Sequence, residues 1–257
     1  MSTATPPIPS AEPTQSPRLS EPARIINLFI APRKTFEDLK LNQSWWVPWL
    51  LSAVIGVLFG VVAVQKIDMV RFTRQQIEQS KMAQRQMEQL SPEQQEQQIR
   101  ARATFTKVVF YISPVFSLIG GLIIAAVLMA VFNFGFAAEI PFPRALAIVF
   151  YSFLPRALLS VLLSVSLLVS GDPNSIDIAG NPMPTNPGFF MDPQGSKFLY
   201  SLMSNFDLFA IWVVVLLGFG FAAASPNRKL SAGTAMTTMF VIYAILIIAG
   251  AGFKAAF

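Results

Sequence analysis

Polar and apolar positions in this chain are sorted by whole segments rather than by single residues. Five stretches, about 46–64, 108–136, 145–170, 207–224 and 234–250, are apolar on every side. A helix that is apolar all round is either deeply buried or spans a membrane, and about 20 such residues cross the hydrocarbon layer. The fourth stretch is the clearest. Leu208 to Ala224 carries no charge, Asp207 stands before it as an N-cap, and Ser225-Pro226-Asn227-Arg228-Lys229 makes a polar turn before the fifth. The pattern predicts an all-α fold, a multi-pass transmembrane helical bundle with five spans.

The segments between the spans differ in kind. Residues 1–22 hold Pro6, Pro7, Pro9, Pro13, Pro17 and Pro22 among Ser, Thr and Ala, which predicts a disordered tail without the apolar core of a cleavable leader. A membrane domain is expected over 23–254. It opens with amphipathic interfacial helices: Ile25, Ile26, Leu28, Phe29 and Ile30 form an apolar side and Arg24, Arg33 and Lys34 a basic flank, Pro32 breaks the stretch, and a second short helix follows from Thr35. Trp45, Trp46 and Trp49 then mark an aromatic belt at headgroup level. Residues 65–107 are glutamine-rich and read as two extramembrane helices, about 68–90 and 92–107, with Ser91-Pro92 starting the second, which runs on into the next span. Residues 171–196 read as an irregular loop.

Within the spans, small and polar residues are the candidates for function. Gly56 and Gly60 form a G-x-x-x-G face for packing inside the chain or for self-association, and Gly120 and Gly121 allow a close helix crossing. Gly218, Gly220 and Trp212 read as packing and anchoring residues of the fourth span. Arg156, directly after Pro155, lies about half way along the third span, where charge is costly. Two explanations stand: a polar site inside the bundle, or a segment tilted or broken at the proline so that Arg156 reaches water or headgroups.

Composition narrows the chemistry. Apolar residues make up 53% of the chain and charged residues 13%, against roughly 25% in soluble domains. The net charge of +5 is dispersed, which suits anionic lipid headgroups better than nucleic acid. There is no histidine and no cysteine. That removes the usual general base, the commonest metal ligand and any thiol chemistry. No catalytic residue, metal site or cofactor is predicted. Lysines and arginines near the span ends mildly oppose an inside N-terminus, with Lys66, Arg71, Arg74, Arg100, Arg102, Lys107, Lys197 and Lys254 outside against Arg33, Lys34, Lys40, Arg144, Arg228 and Lys229 inside.

Three stretches carry a family resemblance. They are Leu28-Phe29-Ile30-Ala31-Pro32-Arg33-Lys34-Thr35-Phe36 with the tryptophans after it, the third span with Phe142, Arg144 and Pro155, and Asn205-Phe206-Asp207-Leu208-Phe209-Ala210-Ile211-Trp212 continuing through Gly218 and Gly220 to Lys229–Ala235. The chain resembles the Yip family of Ypt/Rab-interacting membrane proteins, in particular its bacterial members, over roughly residues 25–250. The resemblance implies a five-span domain with a cytoplasmic N-terminus in a bacterial inner membrane, and no established catalytic residues. The expected function is a non-enzymatic membrane-organising component acting on lipids, a protein partner or further copies of itself. The alternative, a small transporter or channel-like permease, rests on Arg156, the span glycines and Asn133.

Overall fold

A computed structural model describes residues 18–178, 180–193, 195–226 and 230–256. The proline-rich tail up to residue 17 and the turn residues Asn227, Arg228 and Lys229 lie outside the described residues. Ten α-helices and two short 3-10 turns, and no strand, are found among the described residues. They are α1 (Glu21–Ile30), α2 (Pro32–Asp38), α3 (Trp46–Lys66), α4 (Met69–Glu78), α5 (Lys81–Glu88), α6 (Pro92–Phe136), α7 (Phe142–Val169), α8 (Lys197–Asn205), α9 (Leu208–Ala224) and α10 (Ala232–Ala256).

Four of these, α3, α6, α7 and α10, are each long and apolar enough to cross a membrane. Helices α8 and α9, which meet at 53°, supply a fifth when the bent pair is taken as one span. The break falls where the sequence places the cap. Asp207 accepts the Ala210 N–H at 3.0 Å and so starts α9 afresh. The architecture is the expected all-α multi-pass bundle.

Helix α7 is the axis of that bundle. In its most apolar window 61% of residues are buried, against 17–22% in the other three long spans. It packs against α3, α6 and α9, while α10 lies on α8 and α9. Ile148, Val149, Tyr151, Leu154, Leu216 and Phe221 join one core, and Phe132 stacks on Phe221 at 4.6 Å between ring centroids. Outward-facing residues such as Ile123, Val127, Val165 and Ile245 leave the bundle apolar on the outside. Such a surface suits lipid.

The extramembrane stretch differs in one detail from the sequence expectation. A break at Ser80, whose hydroxyl caps α5 by accepting the Ala83 N–H, divides the first predicted helix into α4 and α5. The second does run into the span without interruption, since α6 is a single helix of 45 residues opened by a Ser91–Gln94 capping box. Met69 and Phe72 of α4 pack on Ala103 of α6, and Arg74 and Arg100 both pair with Glu96.

Both internal prolines sit inside continuous helices, so Pro155 does not break the third span. Each removes the N–H that would bond the carbonyl four residues earlier. In α6 that carbonyl belongs to Phe110, and Gly60 of α3 sits against it: a β-carbon at Gly60 would lie 2.9 Å from the Phe110 oxygen. The close approach requires glycine.

Candidate functional site

The most polar place in the bundle is one the sequence pattern disguises. Arg24, expected on the basic flank of an interfacial helix, is fully buried, as is Leu28 one turn later. Ile26, Phe29 and Ile30 of the same helix face outward. The hairpin α1–α2 is therefore turned over relative to a soluble amphipathic helix. Phe36 and Leu39 join Leu28 in the core, and Phe36 packs beside Gly220 of α9, where a β-carbon would stand 3.1 Å from its ring and clash with Ile148.

Arg24 is held by a network that crosses from the hairpin to the axis helix. Its Nε donates to Asp38 Oδ2 at 2.6 Å, and Nη1 donates to Glu21 Oε1 at 2.8 Å. Nη2 also lies 2.6 Å from Asp38 Oδ2 but makes no hydrogen bond, so it is an ion-pair contact with poor directionality. The Leu19 N–H donates to Asp38 Oδ1, and the Thr35 hydroxyl donates to the Arg24 carbonyl. Tyr151 of α7 donates its hydroxyl to the other oxygen of Glu21. Burial works against the Arg24 charge, yet the bond to Asp38, the nearby Tyr151 hydroxyl and the charge of Glu21 outweigh it and raise its pKa. The signal in sequence was modest: Glu21 and Arg24 stand three apart on one helix face, the spacing of an ion pair.

A second cation closes the same end of the bundle. Arg144, near the start of α7, donates to the carbonyl of Ala224 at 3.2 Å and to that of Lys40 at 3.3 Å. It therefore ties α7 to the last turn of α9 and to the exit of α2. Asn133 at the end of α6 exchanges two hydrogen bonds with the backbone of Ile140, at 2.9 and 2.8 Å. Its amide holds the turn into α7, where Ala137 and Glu139 adopt positive φ. The side chain is committed to the loop rather than to a pathway.

The residues singled out from sequence fall in several places. Trp45 stacks on Phe150 at 5.9 Å and Trp49 donates to the Pro114 carbonyl at 3.4 Å, both turned inward, while Trp46 is exposed. Gly56 and Gly60 face α6 within the same chain, Gly121 receives the Phe150 ring, and Gly218 meets Met236 of α10. Gly120 faces open space. Trp212 packs on the core with its indole N–H buried. Asp207 is bonded by the Thr185 hydroxyl in addition to its cap, so the loop is pinned at the α8–α9 break. Arg156 is exposed and lines a groove of about 410 Å3 between α3, α6 and α7; Pro155 beside it is buried. No cluster of acidic residues suited to a metal is found among the described residues.

A bundle of apolar helices with a buried ionic latch and an apolar exterior defines a multi-pass integral membrane protein. The family model described as the Yip1 domain matches residues 26–252. The chain belongs to the Yip1 domain family. No curated protein and no solved structure matches it.

Proposed function

We propose that this protein is a non-enzymatic component that organises the membrane through lipid and protein contacts, with the α1–α2 hairpin as its contact platform. One observation carries the proposal: the hairpin exposes Ile26, Phe29 and Ile30 beside exposed Lys34, Lys40 and Arg33, the last paired with Glu37, while Arg24, Thr35 and Asp38 are locked inward. An apolar ridge flanked by cations suits the boundary between acyl chains and anionic headgroups. The buried latch holds that ridge at a fixed angle to the bundle. The location that fits is a bacterial cytoplasmic membrane with the hairpin on the cytoplasmic face, an orientation that rests on family resemblance and not on charge bias.

The test is a photo-crosslinking residue placed at Ile30 in cells and in nanodiscs, with the labelled species identified by mass spectrometry. Lipid adducts or one discrete protein adduct, lost in Arg33→Glu/Lys34→Glu, are expected. A position that labels only solvent overturns the platform. A solute flux in liposomes that Arg156→Leu abolishes replaces the proposal with a permease.

A further inference from the structure

Beyond the hairpin, the bundle contains a lateral groove with one cation, Arg156, that makes no ion pair among the described residues. It lies between three spans and its walls are mostly apolar, formed by Trp49 of α3, Ile124 of α6, and Phe150 and Phe153 of α7. Arg156 enters from α7, with Ser52 and Ser160 nearby. The volume, about 410 Å3, falls in the range of roughly 300–1,000 Å3 that small-ligand sites occupy. Gly120 keeps the floor open, since a β-carbon there would meet nothing within 4 Å.

Among the described residues no carboxylate lies in ion-pair distance of Arg156. Asp207, which like Arg156 acts electrostatically on Tyr243, makes no ion pair with Arg156 and instead accepts from Ala210 and Thr185. A cation within a span is costly unless something pairs with it. A negative partner would relieve that cost, and apolar walls suit one that carries acyl chains.

Depth fits as well. Arg156 is six residues beyond Phe150, the ring on which Trp45 stacks, or about 9 Å along the helix. A phosphate at the tryptophan level reaches the guanidinium by settling one or two turns into the groove. We propose that this groove binds one anionic phospholipid from the surrounding bilayer, with its phosphate on Arg156 and an acyl chain along Trp49, Phe150 and Phe153. Arginine suits the task because its planar fork pairs with two phosphate oxygens at once.

The experiment is native mass spectrometry of the full-length protein, delipidated and back-titrated with phosphatidylglycerol or phosphatidylcholine. Wild type should hold one phosphatidylglycerol at least tenfold more tightly than phosphatidylcholine. Arg156→Gln should lose that preference, and Arg156→Lys should keep a large part of it. Gly120→Leu, which fills the groove without touching the charge, should weaken both lipids at unchanged thermal stability. Equal affinity for the two lipids overturns the charge recognition, and displacement by millimolar inorganic phosphate overturns the lipid in favour of a free anion. Retention of phosphatidylglycerol in both Arg156→Gln and Gly120→Leu places it elsewhere and overturns the site. Arg33→Glu/Lys34→Glu should leave this binding unchanged, which separates it from the hairpin platform.

Discussion

Asp38→Ala tests whether the buried latch holds the hairpin. The substitution leaves Arg24 fully buried with its closest partner gone, because Asp38 supplies the oxygen at 2.6 Å to both Nε and Nη2. Removing one member of a buried pair costs about 3–5 kcal/mol. Glu21 remains at 2.8 Å but is 29% exposed, so it compensates in part and the lower end, about 3 kcal/mol, applies. At about 1.4 kcal/mol per factor of ten, the hairpin should open roughly a hundred times more often. Apolar burial of Leu28, Phe36 and Leu39 offsets less of this than it would in water, since lipid outside the bundle is as apolar as the core. The assay is hydrogen exchange by mass spectrometry in nanodiscs. Peptides covering residues 18–42 should exchange about a hundredfold faster, and those from α7 and α9 little changed. The double variant Arg24→Met/Asp38→Leu should recover a large share of the protection, because it removes the stranded charge together with its partner. Unchanged exchange in Asp38→Ala, or a double variant no better than the single, refutes the latch.

Three further substitutions probe other contacts. Tyr151→Phe removes the hydroxyl that bonds Glu21 and should cost about 1–2 kcal/mol, visible as faster exchange in α1 alone, since Glu21 is partly open to water. Gly60→Ala drives a methyl into the Phe110 carbonyl and should lose about 1–3 kcal/mol, whereas Gly120→Ala should stay within about 0.5 kcal/mol; thermal scans in one detergent compare them, and equal midpoints would refute the α3–α6 contact. Asp207→Ala should cost about 1–2 kcal/mol and raise exchange at residues 208–211, because it loses both the cap and the Thr185 bond that pins the loop.

The spans were legible because their signal is composition over twenty residues, which tertiary contacts do not alter. Caps were legible for a similar reason: Ser91-Pro92 and Asp207 act on the next turn of their own helix. The orientation of α1 was not. Its apolar residues were expected to mark the side set into the membrane interface, and Arg24 a basic flank. Ile26, Phe29 and Ile30 do face outward, but the usual rule inverts at Arg24, the charged residue, which turns into the protein beside Leu28. Arg24 and Leu28 share the inward face at a spacing of four, while Ile26 and Ile30 share the outward one at the same spacing. Periodicity showed that two faces exist and could not say which one met protein. Asp38 was out of reach for a different reason, since its pairing with Arg24 depends on how α2 folds back across Pro32.

The same inversion explains why α7 is the axis. It is the least apolar of the four long spans, with a mean hydropathy of 2.0 against 2.1–2.7, yet it is by far the most buried. In water those facts would conflict. In a bilayer, helices gain nothing by hiding apolar surface from lipid, so association follows close packing and polar contacts. Ala145, Ala147, Ser152 and Ala157 give α7 the small side chains that let its neighbours approach, and Tyr151 and Arg144 give it bonds to reach them. Hydropathy locates a span, and the small and polar residues within it locate its neighbours. By that rule Arg156 is the exception on α7: an exposed cation on the axis helix that makes no ion pair among the described residues, beside the groove between α3, α6 and α7.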